Sequence, residues 1–306
     1  MPGERTDCRI NRLGVSKKIL YPEGRVETEI YYFTGTGNSL VVAREFAEKL
    51  GASLVSIPSA RDVSVIATDA ELIGIVFPNY YGDIPLLVGR FAERLRAREG
   101  SRIFAVCTYG GGPGKAFRSL EKILEAGGLS LWGKYGIHLP QNAFRKSWER
   151  FPKIYASASK QIEKIARFLE TRKRRHRFKD RLLEALLLPL AGLVEPATRK
   201  WLGSCSGSSP DLPMADLIHR SDRLFGVNEE CNGCGICVEV CPADNIRLEK
   251  GKPVWLGRCE NCIACYNWCP RRAITGGISQ KGYFYRHPEV TVSDMMAQKN
   301  GAPERG

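Results

Sequence analysis

Eight of the chain's eleven cysteines stand in one window, as two copies of the same run: CNGCGICVEVCP from Cys231 to Pro242 and CENCIACYNWCP from Cys259 to Pro270. Each copy has the spacing C-x2-C-x2-C-x3-C-P, and each cysteine of the first has its counterpart 28 residues on. Disulfide scaffolds are short secreted chains. This chain has 306 residues, gathers its cysteines toward one end and opens on MPGERTDCRINRLGVSKK, with no apolar signal core. The expectation is a reduced, cytoplasmic set of metal ligands. Zinc is the rival to iron–sulfur, since both use soft thiolates. A zinc site pairs two short cysteine hooks, and has no use for a third cysteine in register followed by Cys-Pro.

The run resembles the bacterial two-cluster ferredoxin signature, in which the fourth cysteine ligates the other cluster. The resemblance implies two [4Fe–4S] clusters, one on Cys231, Cys234, Cys237 and Cys269, the other on Cys259, Cys262, Cys265 and Cys241. Gly233 and Gly235 let the first loop wrap a cluster, whereas the second carries Asn261, Ile263 and Ala264. The short apolar stretches FGV, IRL, PVW and AIT around the loops read as small strands. A fragment of this size depends on its metal to hold together.

More than two hundred residues precede these runs. EIYYF at Glu29–Phe33 leads into TGTGNS, then into VVAREFAEKLG, a helical pattern closing on Gly51. Strand, glycine loop and helix make a phosphate-binding geometry, because free amides and the helix dipole face the anion. The dinucleotide fingerprint fails at Leu40, and the P-loop lacks its Gly-Lys-Ser/Thr. Two further strands, ELIGIVF and IFAVCT, break into PNYYGDIP and YGGGPGKAF. All three loops follow the carboxyl ends of parallel-type strands, where open α/β sheets bind ligands.

TGTGNS resembles the flavodoxin phosphate loop, and PNYYGDIP and TYGGGPG resemble the loops that sandwich the isoalloxazine in that superfamily. The resemblance implies an α/β fold with a five-stranded parallel sheet of order 2-1-3-4-5, followed by a small α+β ferredoxin domain. The strands are expected at 29–33, 53–57, 71–77, 103–108 and 135–139. It also implies FMN: Thr34, Thr36, Asn38 and Ser39 on the phosphate with Gly35 and Gly37 as close backbone, Tyr80 or Tyr81 and Tyr109 flanking the ring, and Gly110, Gly111 and Gly112 at its edge. From Glu29 to about Pro288 the chain resembles the flavodoxin–ferredoxin fusion family of bacteria and archaea, down to the tail YRHPEV. The acidic surface of free flavodoxins is missing, and an extension precedes the first strand.

The expected organisation is an extension (1–28), a flavodoxin-like domain (29–171), a basic and apolar helical connector with linker (172–220), a ferredoxin domain (221–276) and a tail (277–306). Residues Phe151–Glu170 read as the last flavodoxin helix. The net charge of +13 lies in the middle: from Arg145 to Arg181 fourteen Lys and Arg stand against four Asp and Glu. No nucleic-acid recognition motif accompanies it. With the apolar run Leu182–Val194, which is too short to span a membrane, the basic stretch allows peripheral contact with anionic lipid through 172–194. GSCSGSSPDLP, from Gly203 to Pro213, reads as a loop. The functional expectation is electron transfer between two clusters, FMN and an unidentified redox protein, with no catalytic residue. The alternative is an FMN-dependent reductase of a small acceptor, for which Asp83, Lys115 and His138 are the candidate proton donors.

Overall fold

The computed structural model describes residues 19–20, 27–143, 148–171, 195–277 and 282–301. Five strands form a wholly parallel sheet: β2 (Thr28–Tyr32), β3 (Ser53–Ser56), β5 (Leu72–Pro78), β7 (Arg102–Tyr109) and β8 (Leu131–His138), in the order β3-β2-β5-β7-β8. This is the 2-1-3-4-5 order expected of a flavodoxin-like domain. The sheet's inner strands are near-continuous apolar runs because both of their faces are covered; β2 is buried along its whole length. From β2 the chain steps outward to β3, then returns to lay β5 on the other side. The loops after β2 and β5 therefore part, opening a crevice at the carboxyl edge.

Helix α1 (Asn38–Leu50) packs beside α4 (Phe151–Glu170), and α2 (Leu86–Arg94) beside α3 (Ala116–Ala126). Right-handed crossovers running outward in opposite directions put the two pairs on opposite faces. Gly51 ends α1 at φ 59° with its amide on the Ala47 carbonyl, as the sequence predicts. Strand β8 begins four residues before the expected Tyr135, at Leu131. A second parallel sheet, β1 (Ile19–Leu20), β4 (Val65–Thr68) and β6 (Leu95–Ala97), was not anticipated; β1 lies in the stretch read as an extension.

Residues 195–206 are helical (α5), so the stretch read as a loop from Gly203 begins inside a helix. Short α6 (Met214–Arg220) follows. The basic and apolar connector at 172–194, with its proposed lipid contact, lies outside the described residues. The ferredoxin-type part is built from β9 (Gly226–Val227) paired with β12 (Ile274–Thr275), the hairpin of β10 (Ile246–Glu249) and β11 (Lys252–Trp255), and short helices α7 (Ile236–Glu239) and α8 (Ala264–Trp268).

The two parts share a core. Val240, Cys262, Ala264 and Trp268 belong to the same buried cluster as the sheet residues Ile30, Phe33 and Val76. The last described helix, α9 (Val292–Asn300), starts on a capping box of Thr291 and Asp294 and lies between them. Its Arg44–Asp294 ion pair (2.6 Å) reaches α1, Lys299 reaches Asp244 (2.6 Å), and Arg61 pairs with the same Asp244. Among the described residues no helix is long and apolar enough to cross a membrane.

Candidate cofactor sites

Where β2 ends, the chain turns through Thr34–Gly37 into α1. Gly37 is the N-cap at φ 101°, and its amide donates to Thr34 Oγ1 (3.0 Å). A Cβ at Gly37 would lie 2.9 Å from His287 and Val290, and one at Gly35 would lie 2.6 Å from both the Cys262 carbonyl oxygen and the Tyr80 hydroxyl. Only glycine allows these approaches. The Asn38 and Ser39 amides, in the first turn of α1, have no intrahelical acceptor and point the helix dipole at the same space.

Residues far along the chain hold this loop in shape. Gln298 of α9 clasps the Thr34 backbone from both sides, accepting from its amide at 2.7 Å and donating to its carbonyl at 3.1 Å. The His287 amide donates to the Thr36 carbonyl (2.9 Å), and the Trp268 indole to that of Gly35 (3.0 Å). Asn38 donates to the Pro140 carbonyl (2.9 Å) and accepts from the Tyr285 hydroxyl (2.6 Å), so its carboxamide is committed to joining the loop to its surroundings. Ser39 and Thr108 share a hydroxyl hydrogen bond of 2.8 Å.

The loop after β5 makes a tight turn, with Tyr80 and Asp83 exchanging both backbone hydrogen bonds at 3.0 Å. Tyr81 and Gly82 take positive φ, 56° and 78°; two such residues in a row make the primed hairpin turn. Asn79 braces it, accepting from the Gly82 amide (2.7 Å) and donating to the Gly112 carbonyl (2.8 Å).

These loops surround a cavity of about 310 Å³. It is lined by all but one of the residues the sequence assigned to FMN: Thr34, Gly35, Thr36, Asn38, Ser39, Tyr80, Tyr81, Tyr109, Gly110, Gly111 and Gly112 line it, and Gly37 does not. The Tyr80 and Tyr81 hydroxyls are buried without a partner, and burial first, then nearby cysteine thiolates, pushes both phenols well above their usual pKa. A Cβ at Gly111 or Gly112 would meet only open space. Free first-turn amides and an open glycine edge fit a phosphate attached to a flat heteroaromatic ring.

Sequence reading missed several contributors to this cavity, among them Gln141 and Asn142 after β8, Trp201 of α5, whose ring lies 5.8 Å from that of Tyr81, and Asn261 with Ile263 from the second cysteine loop. The one available signal was that Asn and Ile stand where the first cysteine run has glycines. Asp83, Lys115 and His138 do not line the cavity. Lys115 is ion-paired with Glu195 (2.9 Å) and Asp83 (3.6 Å), and His138 is exposed at the end of β8.

Two smaller cavities divide the cysteines. One is lined by Cys231, Cys234, Cys237 and Cys269, the other by Cys241, Cys259, Cys262 and Cys265. The crossing of Cys241 and Cys269 follows from the chain's path through α7 and α8, which pack together. Burial pushes the Cys237 thiol up to about 11, with Cys234, Cys269 and Cys231 adding repulsion; burial raises Cys265 further, with Cys259, Cys262 and Cys241 around it. Thiols crowded this way call for a bound cation. Among the described residues no three His, Cys, Asp or Glu converge on one point suited to a single ion; the thiols ring a space instead. The buried Trp255 indole N–H lines the second of these spaces and is directed at the Cys265 sulfur. An N–H aimed at a cysteine sulfur fits an anionic cluster, whose potential such donors tune.

Residues 230–274 match the family model described as a 4Fe-4S dicluster domain. No curated protein matches the chain. Among solved structures, the chain is similar to a flavodoxin of Streptococcus pneumoniae TIGR4 (16% identity over 48% of this chain and 99% of that one, TM-score 0.33). It is also similar to an FMN-dependent NADH-azoreductase of Bacillus anthracis str. Ames Ancestor (12% identity, 45% and 98%, TM-score 0.32) and to a flavodoxin from the domain Archaea (12% identity, 45% and 97%, TM-score 0.25). At these values the likenesses carry no weight of their own, and the fold rests on the strand order. The chain joins a flavodoxin-like sheet to an iron–sulfur domain of ferredoxin type.

Proposed function

We propose that the protein is an electron-transfer iron–sulfur flavoprotein, exchanging single electrons between two [4Fe–4S] clusters and FMN and on to a redox protein partner. The observation that carries this reading is the contact of Gly35 with Cys262: the glycine loop of the large cavity and the second set of cysteines share a wall. Cys231, Cys234, Cys237 and Cys269 would hold one cluster, and Cys241, Cys259, Cys262 and Cys265 the other. Thr36 with the first-turn amides of α1 would receive the FMN phosphate, and Tyr80, Tyr81 and Tyr109 would lie about its ring. Clusters supply one-electron chemistry, and FMN, when bound, one- or two-electron chemistry.

The chain arranges its donor sets in order of depth. Cys234 is exposed, whereas Cys241, Cys262 and Cys265 are buried. The exposed set is a port for a partner, and the buried set is insulated from water beside the large cavity. The FMN-dependent reductase alternative finds less support, since each candidate proton donor stands away from the cavity and Lys115 is held by Glu195.

Cofactor content after anaerobic purification tests the reading. The expected result is about eight iron, matching sulfide and one FMN per chain. Zinc in place of iron, or no flavin even after FMN is added, overturns it.

A further inference from the structure

The two cysteine runs are twins, so position 261 corresponds to 233 and position 263 to 235. All four residues have positive φ: 72° and 80° at Gly233 and Gly235, 53° and 50° at Asn261 and Ile263. Glycine adopts this backbone freely, asparagine takes it more readily than most residues, and a β-branched residue there is an outlier. At 233 a side chain is barred, since a Cβ would lie 2.5 Å from the Gly251 carbonyl oxygen. Asn261 is among the residues lining the large cavity.

Ile263 has a packing reason to be there, in the buried cluster with Tyr266 and Ile274. Asn261 has none within the protein. It is 2% exposed, and neither its Oδ1 nor its Nδ2 has a hydrogen-bond partner. Leaving a buried polar group unsatisfied costs about 1–3 kcal/mol, which glycine at this position would avoid.

We propose that Asn261 is a flavin-contacting residue supplied by the iron–sulfur loop, its carboxamide hydrogen-bonding the isoalloxazine edge of FMN across the shared wall. This rests on the reading of the large cavity as the FMN site. The chemistry matches: the ring edge presents both acceptors and N–H donors, and a carboxamide offers one of each. Rotation of the amide would present either its N–H or its oxygen to that edge. Because Asn261 lies between Cys259 and Cys262, the same loop that holds thiolates also sets the flavin's affinity and potential.

The test is FMN titration of the anaerobically purified, iron-loaded full chain, read by quenching of flavin fluorescence, followed by redox titration of the bound flavin. The parent is compared with Asn261→Gly, which installs the twin's residue, and Asn261→Asp, which tolerates the same φ but removes the donor and adds charge. Asn261→Gly is expected to bind FMN about tenfold more weakly, with iron content unchanged. Asn261→Asp is expected to bind more weakly still and to hold flavin of lower midpoint potential, since a nearby negative charge opposes electron gain. Equal affinity and potential in all three, with FMN bound by the parent, overturns the contact and leaves the flavoprotein reading standing. Loss of iron from Asn261→Gly assigns the residue to the shape of the cysteine loop and also overturns the contact. A parent that binds no FMN overturns the flavoprotein reading itself.

Discussion

The two cysteine runs have one spacing and two environments. In the first, Asn232 and Cys234 are exposed, both tight positions are glycine, and the short helix α7 buries no residue. In the second, Glu260 through Trp268 are buried without a break, and every residue of α8 is inside. Spacing fixes what a loop can ligate; the residues between the cysteines fix what it faces. The first loop is finished by solvent, and the second is finished by the flavodoxin-like domain.

The sharpest way to break this comparison is to remove one cysteine from each loop. Cys262→Ser is expected to cost the whole protein about 3–5 kcal/mol, because it empties a site inside the shared core, and to release both iron and flavin. Cys234→Ser should lose iron from one site only and keep its flavin. Thermal unfolding with iron and FMN assays reads both.

Acid should loosen the buried side first. His287, on the segment that clamps the glycine loop, is held neutral by burial, its pKa lowered from 6.5 to about 4. A lowered folded pKa means that the unfolded chain takes up the proton first. Stability is therefore full above about pH 6.5, falls as pH drops toward 4, and is lost below it, by about 3 kcal/mol in all. Denaturant titrations from pH 7 to 4 should show this slope, and His287→Gln should flatten it.

Glu260 and its twin position, Asn232, give a smaller contrast. The Glu260 carboxylate caps α2 at the Leu87 amide (3.0 Å) and pairs with Arg90 (2.6 Å) across the domain boundary. Glu260→Ala is expected to cost about 2 kcal/mol, and Asn232→Ala to stay within about 0.5 kcal/mol. Equal effects in chemical denaturation would erase the distinction between the loops. The smallest contrast lies at the tight positions. Gly235 has only Leu248 within reach of a Cβ, at 3.8 Å, so Gly235→Ala should cost only the backbone term, about 1–2 kcal/mol, without loss of flavin.

Legibility in the sequence followed the range of the interaction. The cysteine sets, the glycine loop and the Gly51 cap are written in residues a few positions apart, and the sheet's apolar strands in continuous runs. What was hidden depends on distant residues meeting: Gln298 on Thr34, Tyr285 on Asn38, Trp201 over Tyr81. Strands of two to four residues, as in β1, β4 and β6, are too short to show a period. The first residues of β8 went unread because Gly133 and Gly136 blur its alternation; a Cβ at either would strike Tyr135 or Tyr109. Asn261 was visible only as a departure from its twin.

The clasp of Gln298 on Thr34 joins residues 264 positions apart. A ribosome therefore releases the glycine loop long before the helix that completes it. The sheet can form early, but its ligand-binding edge has to wait, and flavin capture becomes a step that follows synthesis instead of accompanying it.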